Sequence, residues 1–212
     1  MTLTSTTKSM YETGTLRDVT GTAIRPGGLT LTDRALDHCS FIAGARLLDV
    51  GCGVGGSVEH LRVNYGFDAR GVDISPALIS EGLGRNPALP LSIAEAKELP
   101  FAEESQDGIL CECVLSLLTE PFRALAEFRR LLRSGGYLIL SDMYNRDPAT
   151  GQPEVWLSEN GFTMILREDH TPLLRELAAR LILANGSLEG LCCRAPGSGG
   201  KPGYYLQVAR KD

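Results

Sequence analysis

Four glycines fall within six positions in RLLDVGCGVGGSVEHL, residues 46–61. A short apolar run, Arg46 to Val50, leads into them, and Val58, Leu61 and Val63 follow among polar residues at helix-like spacing. A buried strand, a glycine turn and a helix form the basic unit of a nucleotide-binding α/β protein, because backbone without side chains can approach a ligand closely. Gly51, Gly53 and Gly56 satisfy G-x-G-x-x-G, and Asp73 lies about 20 residues on, where a carboxylate can take a ribose diol. A phosphate-binding loop of the Gly-Lys-Ser/Thr type is excluded, since no such triplet follows. Asp49 sits two residues before the first glycine, at the mouth of the strand. A carboxylate there repels a pyrophosphate and suits a cationic ligand.

Beyond the loop, strands and helices alternate. FDARGVDIS reads as a second strand ending at Asp73, followed by Ser75 as helix cap with Pro76 in the first turn. LSIAEA and GILCECV read as the third and fourth strands. Phe122, Leu125, Phe128 and Leu132 recur at helical spacing from Thr119 to Leu132, and Ser134-Gly135-Gly136 ends that helix. YLILSD, FTMILRED and GYYLQVARK supply three further strands. A helix opening at His170-Thr171-Pro172, with Thr171 as its cap, separates the last two and runs to Ala184. Alternation of this kind predicts a mostly parallel sheet with helices on both faces. The last two strands are expected to add at one edge. Residues 1–44 precede the first strand and read as a helical appendage, with one domain from 45 to 212.

Five segments, in order, resemble the class I S-adenosylmethionine-dependent methyltransferases, and most closely the small-molecule branch that includes ubiquinone/menaquinone C-methyltransferases. LLDVGCGVG is similar to the first motif of that family, and GVDISPALI to the acidic second-strand motif. AEAKELPFAEESQDGILCECVLSLL resembles the segment leading into the fourth strand, with Glu95 where an aspartate is usual. EFRRLLRSGGYLILSDMY and SENGF resemble the fifth-strand motif and the segment before strand six. The resemblance covers 47–211. It implies a seven-stranded, mostly parallel Rossmann-like sheet with an antiparallel last strand, and S-adenosylmethionine as cofactor. It further implies that Gly51, Cys52, Gly53 and Gly55 form the loop against the ligand and that Asp49 acts near the methionine ammonium. Asp73 would take the ribose hydroxyls and Ile74 would pack on adenine. Glu95 and the Ala96 amide would bond the adenine edge, and the Cys111 carbonyl would lie near the methionine end. The N-terminal segment would close over the cofactor, with Tyr11 and Arg25 facing the pocket. Glu112 and Ser116 flank the expected methyl site as substrate contacts.

The resemblance implies in-line methyl transfer to a small-molecule acceptor. The leaving group is already activated, so positioning the nucleophile supplies much of the catalysis, and a base is needed only where the acceptor must lose a proton. No catalytic residue is assigned. The tetrad Asn/Asp-Pro-Pro-Tyr/Phe, typical of enzymes that methylate DNA bases or glutamine amides, is replaced by CECVLSL.

Two alternatives stay open. One is binding of the cofactor without transfer. The other is thiol-dependent methylation of a metalloid such as arsenite, for which Cys192-Cys193 and Cys111-x-Cys113 are the candidate thiols. Against it, no Cys-x-x-Cys pair has structural zinc spacing, and buried cysteines commonly pack as small hydrophobes, so no metal site is expected. His38 and His60 read as surface or packing residues. His170 reads equally as a helix-end residue or one facing substrate. With 212 residues, 43% of them hydrophobic, the chain can bury one sizeable core. Its net charge of −5 disfavours a nucleic-acid partner. MTLTSTTKSM lacks the apolar core of a signal peptide, and no apolar run approaches the roughly 20 residues of a membrane span. A cytoplasmic location with reduced thiols is therefore expected. RAPGSGGKPG reads as a mobile loop.

Overall fold

A computed structural model describes residues 11–12, 15–147, 153–186 and 201–212. The strands are β1 (Arg46–Val50), β2 (Asp68–Asp73), β3 (Leu91–Ile93), β4 (Gln106–Glu112), β5 (Leu132–Asn145), β6 (Phe162–Asp169) and β7 (Pro202–Lys211). The helices are α1 (Thr15–Thr20), α2 (Gly28–Leu36), α3 (Gly56–Tyr65), α4 (Pro76–Arg85), α5 (Pro121–Leu131), α6 (Pro153–Glu159) and α7 (Thr171–Asn185). A short 3₁₀ turn covers Leu115–Leu117.

All seven strands form one sheet in the order β3-β2-β1-β4-β5-β7-β6. Strands β1 to β5 pair in parallel, and β7 runs antiparallel to both β5 and β6. The expected fold class is therefore the one observed. The last strand inserts between β5 and β6, leaving β6 at the edge. Leu47 and Leu110 face one side of the sheet, where α2, α3, α4 and α7 contribute Ala35, Leu61, Ile79 and Leu174. Leu48 and Ile109, one residue away along each strand, face the other, against Leu125 and Phe128 of α5 and Leu157 of α6. Burial on both faces explains why these strands read as continuous apolar runs.

Several local expectations change. Val63 is 76% exposed, whereas Val58 and Leu61 are fully buried, so the inward stripe of α3 is narrower than its apolar residues suggest. The helix read over 119–132 spans Pro121–Leu131. Leu132 opens β5, which starts earlier and runs further than YLILSD. Ser75 caps α4 as expected, its hydroxyl accepting the Leu78 amide at 3.3 Å. Thr171 does not cap α7. It is the first helical residue, and the Asp169 carboxylate accepts its amide at 2.9 Å. The N-terminal appendage is helical in α1 and α2. Cys192, Cys193 and residues 194–200 of the expected loop lie outside the described residues.

Candidate active site

The chain passes from β1 to β2 and β3 on one side and then returns to β4 on the other. In open α/β sheets this reversal leaves a crevice beyond the carboxyl ends of the strands. A cavity of about 320 Å³ lies there, a size suited to a small organic ligand.

The glycine loop forms one wall. Gly51 has φ +81°, and a Cβ on it would meet Val114 Cγ2 at 2.1 Å, so only glycine fits between loop and wall. Gly53 lines the cavity, and a Cβ there would meet nothing within 4 Å. The loop is pinned from β2, with Asp73 Oδ2 accepting the Gly53 amide at 2.8 Å and Oδ1 accepting the Ser75 amide at 2.8 Å. Burial raises the Asp73 pKa, and these backbone donors oppose the rise.

Of the other expected residues, Asp49, Cys52, Ile74, Glu95, Ala96, Tyr11, Arg25 and Glu112 also line the cavity. Ile74 offers an exposed apolar side chain at the end of β2, 43% accessible. Gly55, Cys111 and Ser116 are not among the lining residues. Gly55 has φ +81° and lies against Leu91, which a Cβ would meet at 2.9 Å. Cys111 is fully buried in the core cluster beside α5. Ser116 turns away within the 3₁₀ segment, and its hydroxyl donates to Asp142 Oδ1 at 2.6 Å.

Unanticipated neighbours complete the wall. Ser57, Glu12 and Thr22 line the cavity. Ser75 Oγ donates to Glu12 Oε1 at 2.6 Å, and the carbonyl of Thr22 lies 2.7 Å from where a Cβ on Gly56 would stand. Lys97 pairs with Glu120 at 2.8 Å and with Glu95 at 3.6 Å. A serine one residue past the glycines was within reach of sequence reasoning. The strap contacts join residues more than 30 positions apart and carry no local signal.

Arg25, from the strap before α2, forms a buried ion pair with Glu112 at 2.9 Å. Thr32 Oγ1 donates to Glu112 Oε2 at 3.1 Å, and Ser141 Oγ donates to Glu112 Oε1 at 3.3 Å. Tyr204 OH donates to Ser141 Oγ at 3.2 Å and lies 3.1 Å from Cys113 Sγ. Among the described residues, the buried charged groups lining the cavity are the carboxylates Asp49, Asp73 and Glu112 and the cation Arg25. Burial first, and the Glu112 charge next, raise Asp49 to about 7, with Arg25 opposing. A cation entering the cavity would offset the surplus of negative charge.

Among the described residues, Cys39, Cys52 and Cys111 pack in or against the core clusters, and Cys52 and Cys113 also line the cavity. Burial pushes Cys52 and Cys111 well above the ordinary thiol range. Cys111 and Cys113 belong to different sides of the sheet, Cys111 in the cluster beside α5 and Cys113 against the cluster that includes α3. His60 lies 2.5 Å from Asp33 and 2.7 Å from Asn64, and His170 lies 2.9 Å from Glu168. None of the three histidines lines the cavity.

Sheet order, glycine loop and crevice define an α/β protein of the Rossmann-like class. Residues 48–140 match the family described as a methyltransferase domain. Phosphoethanolamine N-methyltransferase 3 of Arabidopsis thaliana is 23% identical over 167 residues, covering 76% of this chain and 34% of the relative. A demethylmenaquinone methyltransferase of Renibacterium salmoninarum is 33% identical over 107 residues, covering 50% of this chain and 45% of the relative. The chain thus spans less than half the length of these two curated relatives. Phosphoethanolamine N-methyltransferase 2 of Haemonchus contortus, solved with S-adenosyl-L-methionine, superposes with a TM-score of 0.77 at 16% identity, over 98% of this chain and 60% of that one. At that identity the likeness shows the fold.

Proposed function

We propose that this protein is an S-adenosylmethionine-dependent methyltransferase acting on a small-molecule acceptor. The observation that carries the reading is the pairing of a pinned glycine loop with a buried, predominantly acidic crevice, in a chain that matches a methyltransferase domain. The residues present suit the cofactor. The open space over Gly53 leaves room for close approach, and a carboxylate at Asp49 suits the ammonium of the amino-acid tail. Asp73 retains lone pairs for a ribose diol, and Ile74 offers an apolar face to adenine. Glu95 and the Ala96 amide are proposed at the adenine edge. When bound, the cofactor supplies a methyl group on a positively charged sulfur, already activated for displacement.

The protein's own contribution is to bind, orient and exclude water. The strap carrying Glu12, Thr22 and Arg25 lies against α4, the Gly56 turn and Glu112. Residues 1–44 are proposed as a lid on the domain 45–212, with Tyr11 facing the acceptor. We also propose a cytoplasmic location, which fits the free thiols Cys39, Cys52 and Cys111. No helix among the described residues is long and apolar enough to cross a membrane. A small metabolite rather than a nucleic acid is the proposed acceptor class, supported by the net charge of −5.

Two measurements test the reading. Calorimetry should show saturable binding of S-adenosylmethionine and S-adenosylhomocysteine but not of NAD. Incubation with labelled donor and metabolite extracts should then give a labelled small product. Saturable NAD binding with no response to either sulfur nucleotide would reassign the protein to the oxidoreductases. Binding without transfer to any fraction would leave a cofactor-binding protein.

A further inference from the structure

Glu95 lines the rim of the cavity on a fixed backbone. The Asp73 carbonyl accepts the Ala94 amide at 3.1 Å, and the Glu95 carbonyl accepts the Glu98 amide at 3.0 Å. Its side chain is held far less. It is 55% exposed, and among the described residues its carboxylate has one ion-pair partner, Lys97 Nζ at 3.6 Å. The methyltransferases this segment resembles usually carry an aspartate here. A glutamate adds one rotatable bond, and ordering such a side chain costs entropy. Lys97 is itself seated across the rim, at the start of α5. Its Nζ donates to Glu120 Oε2 at 2.8 Å, and Arg123 donates to Glu120 Oε1 at 3.0 Å. Hydrogen bonds from Lys97 first and Arg123 next bring the Glu120 acid down to about 2, so the seat stays charged. The segment does not need this link to stay on α5. Further along, the Leu99 amide donates to Glu127 at 2.9 Å, and Arg130 donates to the carbonyls of Leu99 and Phe101 at 3.3 and 3.1 Å.

We infer that Lys97 is a positioning residue: from its seat on Glu120 it orders the Glu95 carboxylate towards the 6-amino group of the donor's base. The role rests on the methyltransferase reading and on Glu95 at the adenine edge. It offsets the freedom that glutamate has over aspartate at this position. Lys97 acts only through Glu95 and touches neither the base nor the reacting atoms. An exposed ion pair adds little to stability, so its effect should show in ligand choice and not in folding. With aspartate at 95 the side chain is shorter, has less freedom and falls short of Lys97. The lysine then becomes dispensable.

The test is calorimetric titration of the whole chain with S-adenosylhomocysteine and with its purine counterpart, in which hydrogen replaces the 6-amino group. Wild type should prefer the amino-bearing ligand at least tenfold, the worth of a hydrogen bond to a charged acceptor. Lys97→Met should reduce that preference at least threefold, through weaker binding of S-adenosylhomocysteine alone. Its affinity for the purine counterpart should stay within twofold of wild type, and its urea midpoint should be unchanged. Lys97→Arg keeps the charge and should hold the preference within twofold of wild type. In a Glu95→Asp background, Lys97→Met should alter the preference by less than twofold. Four results would each overturn the role and leave the methyltransferase reading intact. They are equal wild-type affinity for the two ligands, an unchanged preference in Lys97→Met, an equal loss of both affinities, and a threefold loss that persists in the Glu95→Asp background. Failure of both ligands to bind wild type would remove the role and the reading together.

Discussion

Asp73 holds Gly53 in place, with Oδ2 of the acid at the end of β2 accepting the amide of the loop after β1 at 2.8 Å. Its other oxygen accepts the Ser75 amide at the start of α4. One carboxylate therefore shapes the loop and opens the following helix while still lining the cavity. A hydrogen bond to a charged group contributes about 1.5–3 kcal/mol, so Asp73→Ala should cost stability as well as ligand affinity. The expected loss is roughly 2–4 kcal/mol in urea unfolding, with at least tenfold weaker binding of S-adenosylhomocysteine. Asp73→Asn keeps one acceptor oxygen and should recover part of the stability without recovering affinity. Wild-type behaviour of Asp73→Asn in both assays would argue against the ribose role.

Asp49 gives a pH signature. Its folded pKa of about 7 lies above the ordinary value of 3.8, so between those values the native state holds a proton that the unfolded chain has lost. The stability that this protonation supplies is full below about pH 4 and falls away as pH rises through 7. A shift of that size corresponds to a few kcal/mol, on the order of 1.4 per pKa unit. Asp49→Asn should flatten the fall between pH 5 and 8 in urea titrations. Ligand binding runs the other way, because a cation prefers the ionised acid. Thermal stabilisation by S-adenosylhomocysteine should grow from pH 6 to pH 8 in wild type and stay level in Asp49→Asn.

The legible part of this site came from local grammar. A strand, a glycine turn, a helix cap and an acid at the end of the next strand are each written in neighbouring residues, which is why Asp49, Gly53, Asp73 and Ser75 could be read in advance. Sheet order is different. The antiparallel β7 lies between β5 and β6, and nothing in the period of GYYLQVARK encodes its partners. Ser116 sits in a 3₁₀ turn that directs its hydroxyl to Asp142 of β5, a contact 26 positions away that local sequence does not carry. Glu12 and Thr32 reach Ser75 and Glu112 across 63 and 80 positions, so only the folded chain brings them together.

Gly51 tests the wall of the cavity. Gly51→Ala places a methyl 2.1 Å from Val114 Cγ2 and also puts a non-glycine residue at φ +81°. The left-handed conformation alone costs about 1–2 kcal/mol, and overpacking adds about 1–3 kcal/mol. Val114→Ala in the Gly51→Ala background should restore the packing part and leave the backbone part. A double-mutant cycle by urea unfolding should therefore show favourable coupling of at least about 0.5 kcal/mol. Strict additivity would mean that the two residues do not press on each other.

Ser116 separates a structural role from a contact with substrate. Asp142 is 1% exposed and accepts the Ser116 amide at 2.8 Å, the Ser116 hydroxyl at 2.6 Å and the Met143 amide at 2.6 Å. Burial raises the Asp142 pKa and those bonds hold it down. Ser116→Ala removes one of them, so the acid should become harder to ionise and stability should fall by about 1–3 kcal/mol at pH 8. The loss should shrink as pH falls and Asp142 takes up a proton, because the protonated acid has less need of the hydroxyl. Affinity for S-adenosylhomocysteine and turnover of any acceptor, measured on folded protein, should remain within twofold of wild type. A variant with unchanged stability and a raised KM would return Ser116 to the acceptor site.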